Sequence, residues 1–462
     1  MQKCLILLLL LNYSLHAQVT FSPHDISHNL SFPVVNLAGD IDNDGDMDII
    51  SGGQGSESIE WYENVDGDGN FSVSHFVADG FNTLYDIHLA DLDGDNDLDV
   101  LSSSYLSHEV AWFENIDGQG NFGTRNILSD IEMGSFGIDT ADLDGDNDID
   151  VLTSSDFSPF GYFWHENLDG LGDFGSGISL SQTNRPRRIK AGDLDNDGDN
   201  DIVYVNSEAG VIAKSENLDG QGNFGNQLLV ADQETYVDWI NLVDFDQDND
   251  LDIISNNNVP NNTLPGGEIV WYSNVEGNFG SIQIIANMEE KPSSIQPVDF
   301  DNDGDYDIVF TSVLTSNLNG SVSWIENLGS QNFGPIQPII ESNFNNPRSI
   351  SVADIDGDGD MDFIATSASN DKVTWFENLS ILGMPENDTV RFSIIPNPTS
   401  KMLNITCDKK IASIRILNSA GRLVLKSEYK RNVNIETLTA GVYFVKVLDQ
   451  EGIEGNKKLL IY

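Results

Sequence analysis

Apolar positions in this chain come in short runs that alternate with polar ones. Residues 84–90 (LYDIHLA), 99–104 (DVLSSS), 109–116 (EVAWFENI) and 124–129 (TRNILS) each read as one β-strand, and Gly, Asn and Asp crowd the segments between them. In the third run both alternate sets are apolar, Val110 and Trp112 on one side and Ala111 and Phe113 on the other, so burial on both faces is expected. No stretch of ten residues follows a 3.6 period, which excludes a helical solenoid. Four strands in about 50 residues is the size of one propeller blade.

The pattern then repeats. A nine-residue acidic phrase starts at Asp40, Asp91, Asp142, Asp193, Asp244, Asp299 and Asp354, at spacings of 51, 51, 51, 51, 55 and 55. Each is followed by a second phrase, WYEN, WFEN, WHEN, KSEN, WYSN, WIEN and WFEN, whose closing asparagines are 64, 115, 167, 217, 274, 327 and 378. A third phrase of the type GNFG places phenylalanines at 71, 122, 174, 224, 279 and 333. Period and order predict an all-β fold in which residues 19–380 form a seven-bladed β-propeller. The last module ends at Asn378 without a third phrase, yet Phe21 lies 19 residues before Asp40 as Phe174 lies 19 before Asp193. Residues 19–26 are therefore expected to pair with 373–378 and close the ring, removing its open ends. A linear stack of sheets is the competing architecture and leaves that correspondence unexplained.

Composition adds a demand. The chain has 75 Asp and Glu against 22 Lys and Arg, a net charge of −53, but 39% hydrophobic and 9% aromatic residues are too many for a disordered acidic tail. Nucleic acid and anionic membrane are disfavoured as partners, and cations are the natural counterpart. Residues 1–17 read as a secretory signal peptide with an apolar run too short to span a membrane. Its removal leaves Cys407 alone, so no intrachain disulfide is expected.

The acidic phrase reads D-x-D-x-D-[GN]-D-x-D. Its aspartates are Asp40, Asp42, Asp44, Asp46 and Asp48 in module one, and Asp91, Asp93, Asp95, Asp97 and Asp99 in module two. Modules three and four contribute Asp142, Asp144, Asp146, Asp148 and Asp150, then Asp193, Asp195, Asp197, Asp199 and Asp201. Module five has Asp244, Asp246, Asp248, Asp250 and Asp252, module six Asp299, Asp301, Asp303, Asp305 and Asp307, and module seven Asp354, Asp356, Asp358, Asp360 and Asp362. In a tight loop the side chains at positions 1, 3, 5 and 9 can surround one cation while position 7 offers its carbonyl. Position 6 is always Gly or Asn, the residues most tolerant of positive φ. Oxygen-only donors favour Ca²⁺, at about seven sites, over Zn²⁺, and Mg²⁺ fits such a carboxylate-rich loop poorly. A solvated acidic loop is the alternative, but it gives no reason for the spacing to recur.

These phrases resemble the integrin-alpha-like repeats called FG-GAP or VCBS, over residues 19–380. The resemblance implies calcium in the loop between the first two strands of each blade, and no single activity, since adhesion subunits, lectins and enzyme-borne domains share the module. After a linker at 381–390 the charge reverses, and seven short strand-like runs at 391–462 suggest a separate β-sandwich. Pro396-Asn397-Pro398, NSAGRLVL from Asn418, Ala440-Gly441-Val442-Tyr443 and Lys457-Lys458 resemble the type A sorting domain of the type IX secretion system of Bacteroidota. That implies recognition by the secretion machinery at the outer membrane, and release or surface display.

Catalysis finds little support in these residues. Histidines 24, 28, 75, 88, 108 and 165 share no repeat position, and the paired carboxylates belong to the acidic loops. The tryptophans of the second phrase are expected to be blade-to-blade core, and its Asn a cap for the following turn. The leading reading is a secreted or cell-surface binding or adhesion protein without catalytic activity, with glycans as a candidate ligand class and no transmembrane segment. The alternative is a polysaccharide hydrolase or lyase built from non-repeated loops. The non-repeated features are the insertions at 254–268 and 311–321, loops between the second and third strands expected on the same broad side as the acidic boxes, and the basic cluster Arg185, Arg187, Arg188 and Lys190.

Overall fold

Residues 19–379 are described in this computed structural model except 28–29, 130–133, 158–159, 184, 208, 233–235, 259–265, 314–318 and 330. Beyond them it describes 392–395, 401–407, 410–418, 422–428, 432–439, 441–450 and 454–461. The expected signal peptide at 1–17 and linker at 381–390, with Pro396-Asn397-Pro398, Ala440 and parts of both insertions, lie outside the described residues. The chain divides into two compact units, one ending at Ser380 and the other starting at Ile381.

In the first unit each apolar run becomes a strand, and seven four-stranded antiparallel sheets result. The second runs from the innermost strand outward through Leu84–Ala90, Asp99–Ser104, Glu109–Phe113 and Asn126–Ser129. As the double alternation requires, Val110, Ala111, Trp112 and Phe113 are all buried. The innermost strands of successive blades pack side by side, and Pro33–Gly39 of blade 1 meets Pro347–Ala353 of blade 7, where Asn36 Nδ2 donates to Ser349 O at 3.2 Å.

The ring closes as the Phe21 offset predicts. Phe21–Ser27 is the outermost strand of blade 7 and pairs with Lys372–Asn378, aligning Phe21 with Asn378. That pairing is the counterpart of Asn115 with Phe122, Asn167 with Phe174 and Asn217 with Phe224 in the other blades. Phe21 sets its ring edge-on at 5.0 Å from both Phe300 and Phe363, so the first strand is fastened into the contact between blades 6 and 7.

The phrase tryptophans are core. Trp61, Trp112, Trp164, Trp271, Trp324 and Trp375 are at most 6% exposed. Their role is between blades: a Cβ on Gly120 would stand 2.2 Å from the Trp61 ring of the preceding blade, and that glycine has φ +70°. Only glycine lets the turn of blade 2 close over the indole of blade 1.

The second unit has two sheets, one of Phe392–Ile395, Met402–Cys407 and Asn432–Asn434, the other of Ile411–Asn418, Leu423–Glu428, Gly441–Asp449 and Glu454–Ile461. Ile394, Leu403 and Ile405 of the first share one buried cluster with Ile414, Ile416, Val445 and Leu459 of the second, the packing of a β-sandwich.

Candidate metal centres

Each acidic phrase joins the first and second strands of its blade. The loop turns back because position 6 is left-handed in all seven copies, with φ from 73° at Asn96 to 99° at Gly359. Position 4 is left-handed as well, at Asn43, Gly94, Gly145, Asn196, Gln247, Asn302 and Gly357. Backbone N–H groups then point inward: Gly45 donates to Asp40 Oδ2 at 3.1 Å, and Asp46 donates to Asp44 Oδ1 at 3.0 Å.

Carboxylate oxygens converge within 4.8 Å of one another at Asp40, Asp42 and Asp48, and at Asp91, Asp93 and Asp99. In blades 3 to 5 the converging trios are positions 1, 3 and 5, namely Asp142, Asp144 and Asp146, Asp193, Asp195 and Asp197, and Asp244, Asp246 and Asp248. Several of these oxygens are buried with no hydrogen-bond partner, among them Oδ1 of Asp40, Asp42, Asp93, Asp144, Asp193, Asp195, Asp246 and Asp354. An orphaned buried anion is costly unless a cation answers it. Accordingly the position-3 carboxyls are pushed up, chiefly by burial and then by the position-5 charge, to about 6 at Asp93 and Asp301 and about 7 at Asp356.

Position 9 has a second occupation. In every blade one of its oxygens accepts the backbone N–H of position 2, and the other accepts the N–H of the phrase asparagine. For Asp48 these bonds run from Ile41 at 3.0 Å and from Asn64 at 2.8 Å. For Asp99 they run from Leu92 at 2.9 Å and Asn115 at 2.8 Å. Burial nevertheless dominates, raising the carboxyl to about 7 at Asp48, Asp99 and Asp150, about 6 at Asp201 and Asp252, and about 8 at Asp307 and Asp362. Position 7 leans the other way: its carboxylate covers the turn after the third strand, so that a Cβ on Gly118 would meet Asp97 at 2.5 Å.

The asparagine does more than cap a turn. Asn115 Oδ1 accepts the N–H of Gly120 at 3.0 Å, the expected cap, while Nδ2 donates to Ile41 O of the preceding blade at 2.8 Å. The same bridge runs from Asn64 to Ile355, Asn167 to Leu92, Asn217 to Leu143, Asn274 to Leu194 and Asn378 to Phe300. The bridge therefore ties each loop to its neighbour at six of the seven interfaces. Asn115→Ala should lower stability by about 1–3 kcal/mol, because it strips the buried Ile41 carbonyl of its donor; denaturant unfolding measures this, and a change under about 0.5 kcal/mol would show the bridge to be incidental.

The glutamate of the second phrase is also part of the centre. Glu63 raises Asp42, Glu114 raises Asp93, Glu326 raises Asp301 and Glu377 raises Asp356, each by like charge added to the larger effect of burial. Its recurrence in six modules marks it in the sequence, but only the antiparallel return of the third strand brings it to position 3. Topology corrects one expectation. Since the acidic loop joins strands one and two, the second-to-third connections emerge at the opposite rim, and so does the start of Pro186–Gly192, which holds Arg187 and Arg188.

The FG-GAP-like repeat model matches at residues 40–102, 91–153, 193–255, 244–310 and 311–365. The chain belongs to the FG-GAP-like repeat family. Residues 393–462 match the secretion system C-terminal sorting domain, so the propeller is exported to the cell surface or released. No curated protein matches the chain. Among solved structures it is similar to BBS1N in its complex with ARL6DN, at TM-score 0.53 and 8% identity over 80% of this chain and 99% of that one, which supports the fold alone. Two extracellular domains of hybrid two component systems from B. thetaiotaomicron, BT4673 and BT3049, match at TM-scores 0.48 and 0.46 with 12% and 14% identity. They cover 96% and 95% of this chain, which spans only 58% and 57% of theirs.

Proposed function

We propose that this FG-GAP repeat protein is an extracellular binding or adhesion protein whose seven acidic loops hold Ca²⁺. The observation that carries the metal reading is the set of buried carboxylate oxygens without partners, at position 1 or 3 in six of the seven blades and also at position 7 in blades 4 and 7. Positions 1, 3 and 5 supply carboxylate oxygens, position 7 its carbonyl, and position 9 remains available through lone pairs beyond its two backbone bonds. Hard oxygen donors in this number suit calcium. Metal bound there neutralises charge that otherwise repels within each blade, and its binding energy adds to folding energy.

Binding rather than catalysis is supported by how the histidines are used. His24 and His75 stack on Trp375 and Trp61 at 4.6 and 4.3 Å and pair with Glu377 and Glu63, while His108 Nδ1 accepts the N–H of Gly134. Metal counting on purified protein tests the first part, and near-zero calcium refutes it. A glycan array run beside a hydrolysis screen on the same polysaccharides tests the second, and turnover of any of them refutes a purely binding role.

The sorting domain makes its own prediction. Truncation after Asn378 should leave a folded propeller retained inside the cell envelope, because the outer-membrane signal is gone. Fractionation of the producing bacterium reads the result, and normal amounts of truncated protein at the surface or in the medium would contradict the sorting role.

A further inference from the structure

The seven innermost strands carry equivalent positions, and the position six residues before each acidic phrase lies at the channel mouth opposite the metal loops. Its occupants are Val34, Tyr85, Phe136, Arg187, Asp238, Ser293 and Arg348. Where most of the module is copied, this position has diverged in every blade except the fourth and seventh, and in blades 2 to 5 its residues touch in series. Tyr85 meets Phe136 edge-on at 4.4 Å, the Arg187 guanidinium lies 3.9 Å over the Phe136 ring, and Arg187 Nε stands 3.9 Å from Asp238. Tyr105 flanks the same ring at 4.6 Å. Burial, and after it the charge of Asp156, raise the Tyr105 hydroxyl, and the nearby charges of Arg187 and Arg185 act against that rise.

One position deeper the wall is neutralised. Arg188 pairs with Asp86 two blades away and lies 4.5 Å over the Trp239 ring, and two positions further in Lys190 pairs with Asp139 at 2.6 Å. Arg187 differs from both. Its Nε is buried without a hydrogen-bond partner, and 3.9 Å to Asp238 is too long for one. The Arg187 guanidinium carbon sits over the Phe136 ring, and the ring offers no acceptor to its N–H donors in the way a carboxylate would. That arrangement suits bidentate capture of a carboxylate or sulfate group.

Resting on the binding reading above, we infer that this arc of blades 2 to 5 is a binding site for an anionic glycan, with Arg187 holding the acidic group and Tyr85 and Tyr105 the sugar. Sugar faces pack on aromatic rings, and an acidic group gives the arginine hydrogen bonds that Asp238, at 3.9 Å, pairs with its charge but does not supply. Only nine basic residues belong to the propeller after the expected signal peptide, and four of them lie between 185 and 190; with Arg188 and Lys190 paired to Asp86 and Asp139, this mouth is close to neutral, which repels an anion far less than the acidic rim does.

The test is binding of the calcium-loaded mature protein to polygalacturonate, alginate and chondroitin sulfate, beside the neutral polymers laminarin and pullulan. Binding to the acidic polymers should weaken with salt, and preference between uronate and sulfate arms identifies the group held. Arg187→Gln and Arg187→Lys should each weaken binding roughly 10- to 100-fold, the lysine because it keeps the charge but loses the fork. Arg348→Gln makes the same charge change at the equivalent position of blade 7 and should leave affinity intact. Equal melting temperatures establish that the variants fold. Acidic-polymer binding that survives both Arg187 changes overturns this site and leaves the general binding reading standing. Binding confined to neutral glycans or to an acidic protein also overturns it, and so does binding to none of the probes, while the general binding reading is decided by the glycan array.

Discussion

Metal-free protein should melt at a higher temperature at pH 5 than at pH 7.5, and calcium should reverse that order. The cause is the position-9 aspartate, buried in all seven blades and raised to between about 6 and about 8. In the unfolded chain the same carboxyl titrates near 3.9. Between these values the folded protein holds protons that the unfolded chain has released, so stability is lost as pH rises from about 4 through the folded pKa. Calcium needs the deprotonated loops, so its stabilisation grows over the same range. A tenfold difference in proton affinity between the folded and unfolded chain is worth about 1.4 kcal/mol at each carboxyl, and even a fraction of that summed over seven blades reaches several kcal/mol. A melting difference on the order of 10 °C is expected for the metal-free form, read by calorimetry with chelator at both pH values. A metal-free melt that rises toward neutral pH would show that these carboxyls are not the groups that set stability.

The repeat made the architecture legible because period, strand count and the Phe21 offset are one-dimensional facts. Five of the nine loop positions were legible for the same reason, since aspartates at fixed intervals announce themselves. Position 4 was harder: it is left-handed throughout, yet Gln247 stands there once, and a glutamine does not advertise positive φ. The asparagine bridge shows what spacing cannot carry. Capping by Asn115 is local and follows from the turn beside it, whereas its bond to Ile41 spans 74 residues and depends on how one blade lies against the next.

The same distinction explains the channel mouth. Arg187 stood out as part of a basic cluster, but its neighbours Phe136 and Asp238 lie 51 residues away on either side. They become a series only when the ring places equal repeat positions next to each other. Strand polarity decides the rim: an odd number of reversals separates the acidic loop from the next connection, so the two cannot share a face. The strand ends that border the insertions, at Asn258 and Gly267 and at Val313 and Asn319, therefore lie away from the acidic loops, leaving one rim for the repeated loops and the other free to vary.

A form of the protein beginning at residue 28 should lose more than about 10 °C of melting temperature and aggregate on heating. Without Phe21–Ser27 the strand Lys372–Asn378 becomes an edge, and Val373, Trp375 and Phe376, each at most 3% exposed in the closed ring, lose part of their cover. The loss includes the two Phe21 ring contacts at 5.0 Å, the His24 stack on Trp375 and the bond from Thr374 Oγ1 to Asp25 at 2.9 Å. Unpaired backbone along an apolar strand is a template for pairing with a second chain, so self-association should accompany the destabilisation. Phe21→Ala in the full-length strand separates the two effects: it removes ring packing at a half-buried site, costing about 1–3 kcal/mol, but keeps the edge covered, so the protein should remain monomeric. Light scattering alongside calorimetry distinguishes them. A truncated protein that stays monomeric with an unchanged melting temperature would mean that the ring is held by its inner strands alone and that the N-terminal strand is only an ornament on blade 7.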